Sequence, residues 1–196
     1  MPIILNNISK NYQELAVLNN LSYTFEDNKI YCIMAPSGSG KTTMFRIMLG
    51  LEDADSGSIS GISPGRIAAV FQEDRLCEPF SALENTMLAV PKNNPKHQVQ
   101  QLLLELLPKE ALTKPVSQLS GGMRRRVAIA RALVHPSQVL IFDEPFAGLD
   151  EETKQQVQRC ILKHRGQRTL IVSTHNESDV LAFNATKVNL DAIQSK

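Results

Sequence analysis

Apolar residues along this chain recur in two rhythms. Short apolar-rich runs at Ile3–Ser9 and Val17–Phe25 flank the polar stretch Lys10-Asn11-Tyr12-Gln13-Glu14, and predict antiparallel edge strands. Ile30–Met34 is a continuous apolar run, followed by a glycine-rich stretch and then by a helix-like segment, Met44 to Leu49. Gly50 to Ser58 is rich in glycine and small polar residues, which predicts a helix stop and a turn. Ile67–Phe71 is another short apolar run, with Gln72 directly after it. From Leu83 to Leu107 the period becomes helical: Leu83, Met87 and Leu88, then Val99, Leu102, Leu103, Leu106 and Leu107, with Pro91 and Pro95 between the two groups. The leucines of this block are expected to be core. Val139–Phe142 and Thr169–Val172 are unbroken apolar runs, as parallel strands covered on both faces should be. Helical spacing returns at Glu151–Lys163, after a turn at Pro145–Asp150. The order predicts an α/β fold with helices, at about residues 76–118, inserted between sheet strands.

Composition narrows the class. At 196 residues, 42% hydrophobic and 21% charged, the chain is one globular domain with a sizeable core. A formal net charge of +1 offers no argument for nucleic acid or an anionic membrane surface. No run approaches the ~18 apolar residues of a spanning helix, and the first residues, Met1 to Asn7, lack the basic start of a signal peptide. Cys32, Cys77 and Cys160 are odd in number and widely spaced. They read as reduced thiols of a cytosolic protein.

The chemistry concentrates in Ala35-Pro36-Ser37-Gly38-Ser39-Gly40-Lys41-Thr42-Thr43. A glycine-rich turn between a buried strand and a helix is a phosphate cradle. Gly38 and Gly40 let the backbone bend around an anion, and successive N–H groups with the positive end of the helix face it. Lys41 supplies a point charge for β- and γ-phosphates, and the Thr42 hydroxyl suits Mg²⁺. The pattern G-x-x-x-x-G-K-[ST] is met except at its first position, where Ala35 stands.

Leu119-Ser120-Gly121-Gly122-Met123 and the following Arg124 to Leu133 form a second motif. Ser120 can cap a helix with an apolar face of Val127, Ala130, Leu133 and Val134, and Gly121 and Gly122 expose N–H groups at its positive end. The arginine run reads as a solvated helix face. Asp143-Glu144 ends the run Val139–Phe142; two acids there are costly unless they meet a cation or a water. Asp143 is placed to hold Mg²⁺ through water, and Glu144 to orient or deprotonate an attacking water. Thr169–Val172 similarly delivers Ser173, Thr174 and His175, whose placement favours a phosphate contact. His135 falls at a helix end before Pro136. Tyr12 has two readings on position alone, a half-buried loop aromatic or a stacking platform for a base.

With these motifs in order, the chain resembles the ATP-binding subunit of ABC transporters along nearly its whole length. The cradle, Gln72, Leu119–Gly122, Asp143-Glu144-Pro145, Gly148-Leu149-Asp150 and His175 follow that family's order. The resemblance implies a P-loop NTPase fold with a mainly parallel core sheet, an N-terminal antiparallel β subdomain and an inserted α-helical subdomain. It implies a single domain, residues 1–196. Residues 1–75 and 119–196 would be the nucleotide-binding core, and the helical part would start at about 76–118 and continue to about 135. Tyr12 would stack on adenine, and Ser37, Gly38, Ser39, Gly40, Lys41, Thr42 and Thr43 would hold the phosphates. Thr42, Gln72 and Asp143 would serve Mg²⁺. Glu144 would be the catalytic carboxylate, with Gln72 and His175 sensing the γ-phosphate. Ser120, Gly121, Gly122 and Asp150 would act across a head-to-tail dimer in which two chains enclose each ATP. Integral membrane permease subunits would be the other partners, at the cytoplasmic face of the cell membrane, without membrane insertion or nucleic-acid binding.

Phe71 to Leu76 with Ser81 to Asn85 is similar to the importer branch serving nitrate, sulfonates and taurine, and Phe80 would line a permease groove. A non-transport ABC ATPase of the repair or regulatory type is the alternative. Only 47 residues separate Gln72 from Ser120, too few for repair-type coiled coils. A small-molecule kinase leaves Ser120–Gly122 unexplained. Two departures stand out: Ala35, strained by about 1–2 kcal/mol if its φ is positive, and Met123 in place of glutamine. With 21 residues after His175, no C-terminal regulatory domain is expected.

Overall fold

The computed structural model describes residues 1–63, 65–91 and 96–194. Along the chain run β1 (Ile3–Tyr12), β2 (Leu15–Phe25), β3 (Ile30–Met34), α1 (Lys41–Met48), β4 (Ser56–Ser60), β5 (Ile67–Val70), α2 (Ala82–Met87) and α3 (Lys96–Leu106). They are followed by α4 (Gly121–Val134), β6 (Val139–Asp143), α5 (Glu151–His164), β7 (Thr169–Ser173), α6 (Glu177–Phe183) and β8 (Thr186–Asn189). Pro95, expected to separate two helices, lies outside the described residues. No helix among the described residues is long and apolar enough to cross a membrane.

Packing divides the chain into two units. The first comprises Met1–Ile67, Gln138–Asp143 and Gln167–Lys196. It holds an antiparallel sheet in the order β2-β1-β4 and parallel strands in the order β6-β7-β3-β8. Every residue of β6 and β7 is buried, which explains their unbroken apolar sequences. α1 packs on β6 and α6 on β3. The N-terminal hairpin is longer than its apolar pattern indicates. The expected connection Lys10–Glu14 is mostly strand, with Tyr12 paired to Leu15 across a tight turn. Gln13 takes a left-handed φ of 56° there. The turn expected over Gly50–Ser58 stops early, because Ser56–Ser60 forms β4 against β1.

The second unit comprises Ala68–Ser137 and Glu144–Gly166, and gathers α2, α3, α4 and α5 around one another. α2 begins with a reciprocal cap: Glu84 N–H donates to Ser81 Oγ at 3.2 Å, and Ser81 N–H to Glu84 Oε2 at 2.8 Å. Asn85, fully buried, accepts from Cys77 N–H at 2.8 Å and donates to the Cys77, Phe80 and Ser81 carbonyls at 3.0–3.1 Å. It fixes the turn that leads into the helix. Val99, Leu102, Leu103, Leu106 and Leu107 are core, but Leu88 and Leu104 are 58% and 49% exposed, so the block's leucines are not all core. Val127, Ala130 and Leu133 of α4 are buried, and His135 caps its C-terminal end. Cys32 and Cys160 are buried, Cys77 is exposed, and all three thiols are free.

Candidate functional site

In the first unit, β3 runs into the loop Ala35–Gly40 and then into α1. Gly38 and Gly40 have φ of 80° and 93°, a region that glycine enters without cost. Gly40 is doubly constrained. A Cβ there would come within 2.8 Å of Leu18 Cδ2 and 2.9 Å of the Val17 carbonyl. Ala35 is not among the described residues with left-handed φ, so alanine is accommodated without strain. Lys41 is buried, and its ammonium donates to the Ala35 and Pro36 carbonyls at 2.7 and 2.9 Å. This folds its charge back onto the start of the loop.

Thr42 Oγ1 donates to Asp143 Oδ2 at 2.6 Å, and Ser173 Oγ to Asp143 Oδ1 at 2.5 Å. Asp143 is only 1% exposed, so both oxygens are held by hydroxyls at the ends of α1 and β7. Ser39 Oγ is buried with no hydrogen-bond partner among the described residues. An orphan hydroxyl in the loop, a buried lysine beside it and a hydroxyl–carboxylate pair fit a polyphosphate with a hard divalent cation.

His175 follows β7 and lines a surface hollow with Met34, Ala35, Pro36, Lys187, Asn189 and Asp191, beside the start of the loop. Its approach is fixed. Thr174 N–H donates to the Ile33 carbonyl at 3.1 Å, and Thr174 Oγ1 donates to the buried carboxylate of Asp179. Tyr12 is half exposed at the end of β1. Its hydroxyl donates to Glu52 and lies beside Thr43 of the loop, and Lys10 Nζ sits 5.6 Å from the ring centre. The bond to Glu52, followed by burial, raises the Tyr12 pKa. The ring is therefore a held, neutral, partly open face.

In the second unit, Ser120 Oγ accepts from Met123 N–H at 3.3 Å and caps α4. Gly121 has open space where a Cβ would be, and a Cβ on Gly122 would meet Leu149 Cδ2 at 3.0 Å. Asp150 caps α5, with Oδ1 accepting from Thr153 N–H at 2.9 Å and Oδ2 from Thr153 Oγ1 at 2.8 Å. The Thr153 N–H and then its hydroxyl hold the Asp150 carboxyl below its ordinary range. Glu144 follows β6 with a φ of 48°, a conformation that costs a non-glycine residue about 1–2 kcal/mol. Such strain gathers where a side chain must be aimed.

The arginine run is not a solvated face. Arg125 is buried, donates to the carbonyls of Phe71 and Gln72, and places Nε 3.3 Å from Asp74 Oδ1. Arg131 donates to the Arg75 and Asp74 carbonyls at 2.9 and 3.1 Å, and Arg124 makes a two-pronged pair with Glu78. Arg126 turns inward to the Leu106 carbonyl at 2.6 Å. The helix that opens with Ser120–Gly122 thus grips the backbone on both sides of Gln72, whose own side chain is exposed. Sequence reasoning missed this. The available signal was Arg124 and Arg131, seven apart and so on one face of the helix.

The family model described as ABC transporter matches residues 18–147. The spermidine/putrescine import ATP-binding protein PotA of Clostridioides difficile is 35% identical over 203 residues, covering 95% of this chain and 58% of that protein. The sulfate/thiosulfate import ATP-binding protein CysA of Synechocystis is 34% identical over 198 residues, covering 92% and 56%. The chain therefore spans somewhat over half the length of these curated relatives. Their names do not include nitrate, sulfonates or taurine. Among solved structures, the dimeric structure of MJ0796, a bacterial ABC transporter cassette, superposes with a TM-score of 0.84 at 26% identity, covering 95% of this chain and 94% of that one. It shares the mixed sheet architecture of a P-loop NTPase. By the match over residues 18–147, this chain belongs to the ABC transporter family.

Proposed function

We propose that the chain is the ATP-binding, ATP-hydrolysing subunit of an importer, driving a separate membrane permease from the cytoplasmic face. The observation that carries this is the buried Asp143 carboxylate, held by Thr42 and Ser173, in the same unit as Lys41 and the orphan Ser39 hydroxyl. Such a set has no use in a merely structural turn. The relatives' names supply the direction, import, and the pairing with a transporter.

In this reading, residues 1–75 and 119–196 form the nucleotide-binding core, with helices from about 76 to 118 and on to about 135. Ser37 to Thr43 cradle the phosphates through backbone N–H groups, and Lys41 leaves its carbonyl partners to meet the β- and γ-phosphates. Tyr12 stacks on the base. Thr42, Asp143 and Gln72 hold Mg²⁺, which when bound neutralises phosphate charge. Glu144 orients the attacking water and accepts its proton, and His175 contacts the γ-phosphate. Ser120, Gly121, Gly122 and Asp150 face the nucleotide of a second subunit, so each site is complete only in a dimer.

Phosphate release from Mg-ATP by the purified chain tests the activity without any acceptor. Wild type is expected to turn over, and Lys41→Ala to lose nucleotide binding by calorimetry. Glu144→Gln should bind ATP yet lose on the order of 10²–10⁴-fold in turnover, the contribution of one positioned base. Turnover unaffected by Glu144→Gln would overturn the assignment of the base.

A further inference from the structure

The helical unit carries a second set of ligand-type side chains that takes no part in the site above. Cys160 and His164 lie four residues apart on α5 and so share one face. α3, which packs against α5, brings Glu105 to that face. A Glu105 carboxylate oxygen, Cys160 Sγ and a ring nitrogen of His164 all lie within 4.8 Å of one another. Cys160 is buried, and Glu105 and His164 are partly so. The cluster is positioned from several sides. Glu105 Oε1 stands 3.0 Å from His164 Nε2 and 2.8 Å from Lys163 Nζ, and Gln156 Nε2 donates to the Glu105 carbonyl at 2.7 Å.

We propose that Glu105, Cys160 and His164 form a binding site for a thiophilic divalent transition-metal ion, best matched by Zn²⁺, which clips α3 to α5. The donor set selects the metal class. One sulfur, one imidazole nitrogen and one carboxylate oxygen suit Zn²⁺, whereas Mg²⁺ and Ca²⁺ take oxygen ligands alone. Tetrahedral Zn²⁺ with its usual bond lengths sets ligand atoms about 3.4–3.5 Å apart, so side-chain movements of about an ångström suffice. A water fills the fourth position. Lys163 stays on the carboxylate as an outer partner. Burial pushes the Cys160 thiol up to about 12, so the thiol is protonated before the ion arrives. Binding breaks the S–H bond as the S–metal bond forms, and the proton leaves to solvent with no change of oxidation state. Without the ion, burial raises the Glu105 carboxyl, but hydrogen bonds from Lys163 and His164 outweigh this and hold it below its ordinary range.

Titration of the full chain with Co²⁺ under a non-thiol reductant tests the proposal. A thiolate-to-cobalt band in the near ultraviolet should saturate at one ion per chain, be bleached by Zn²⁺, and coincide with a rise in melting temperature. Cys160→Ser should abolish the band, and His164→Gln and Glu105→Gln should each weaken binding at least about tenfold. His164→Gln keeps the test open should Cys160→Ser fold poorly. Cys77→Ser should leave the band intact, since that exposed thiol is the competing source. Co²⁺ at Thr42 and Asp143 would meet only oxygen and give no such band. Absence of the band from the wild type, its survival in Cys160→Ser, or its loss in Cys77→Ser would each overturn the site.

Discussion

Gly40 and Ala35 bracket the phosphate loop and respond oppositely to one methyl group. Gly40→Ala places a Cβ 2.8 Å from Leu18 at a φ of 93°, and should cost about 1–3 kcal/mol and weaken nucleotide binding. Ala35→Gly restores the family's motif, yet Ala35 carries no strain, so the change should give no gain in activity. It should lower stability by about 0.4–1 kcal/mol through unfolded-chain entropy. Denaturant melts of both variants check the pair. Residue identity alone located the loop. The state of Ala35 was not legible, because φ is set by the strand before it and the helix after it.

At the scale of elements, the arginines of α4 bind the segment Phe71–Glu78 through backbone carbonyls and two carboxylates. Arg125→Ala would strand two carbonyls and Asp74, and should cost about 2–4 kcal/mol. Amide exchange should accelerate first in residues 71–75; uniform acceleration would contradict the local grip. Elements made by local pattern were legible in the sequence: β6 and β7 as unbroken apolar runs, and α5 from its period. Strand stretches without an apolar run of their own were not. Ser56–Ser60 has no apolar run and becomes a strand only because β1 offers it an edge. Tyr12 likewise sits on a strand that its polar neighbours conceal. The arginine run was misread as solvated because a side chain's partner 50 residues away leaves no local mark.

For the molecule as a whole, several carboxylates are held below their ordinary range: Glu84 by the Ser81 hydroxyl, Asp150 and Asp55 by the backbone N–H groups of Thr153 and Asn11. A depressed carboxylate pKa contributes stability that is present above the unfolded value, about 4, and lost as pH falls through the folded one. The melting temperature should therefore be level from neutral pH down to about 5 and fall below about 4. Glu84→Gln should flatten part of that fall.

The proposed function has a consequence at this scale: on that reading, the cradle of one chain and the Ser120–Gly122 nest of a second copy enclose one nucleotide. Light scattering on Glu144→Gln with saturating Mg-ATP addresses this most directly. A mass twice the 21.7 kDa of the monomer is expected with ATP, and the monomer mass when Lys41→Ala is added. A monomer that holds ATP at saturation would contradict a site shared between two chains.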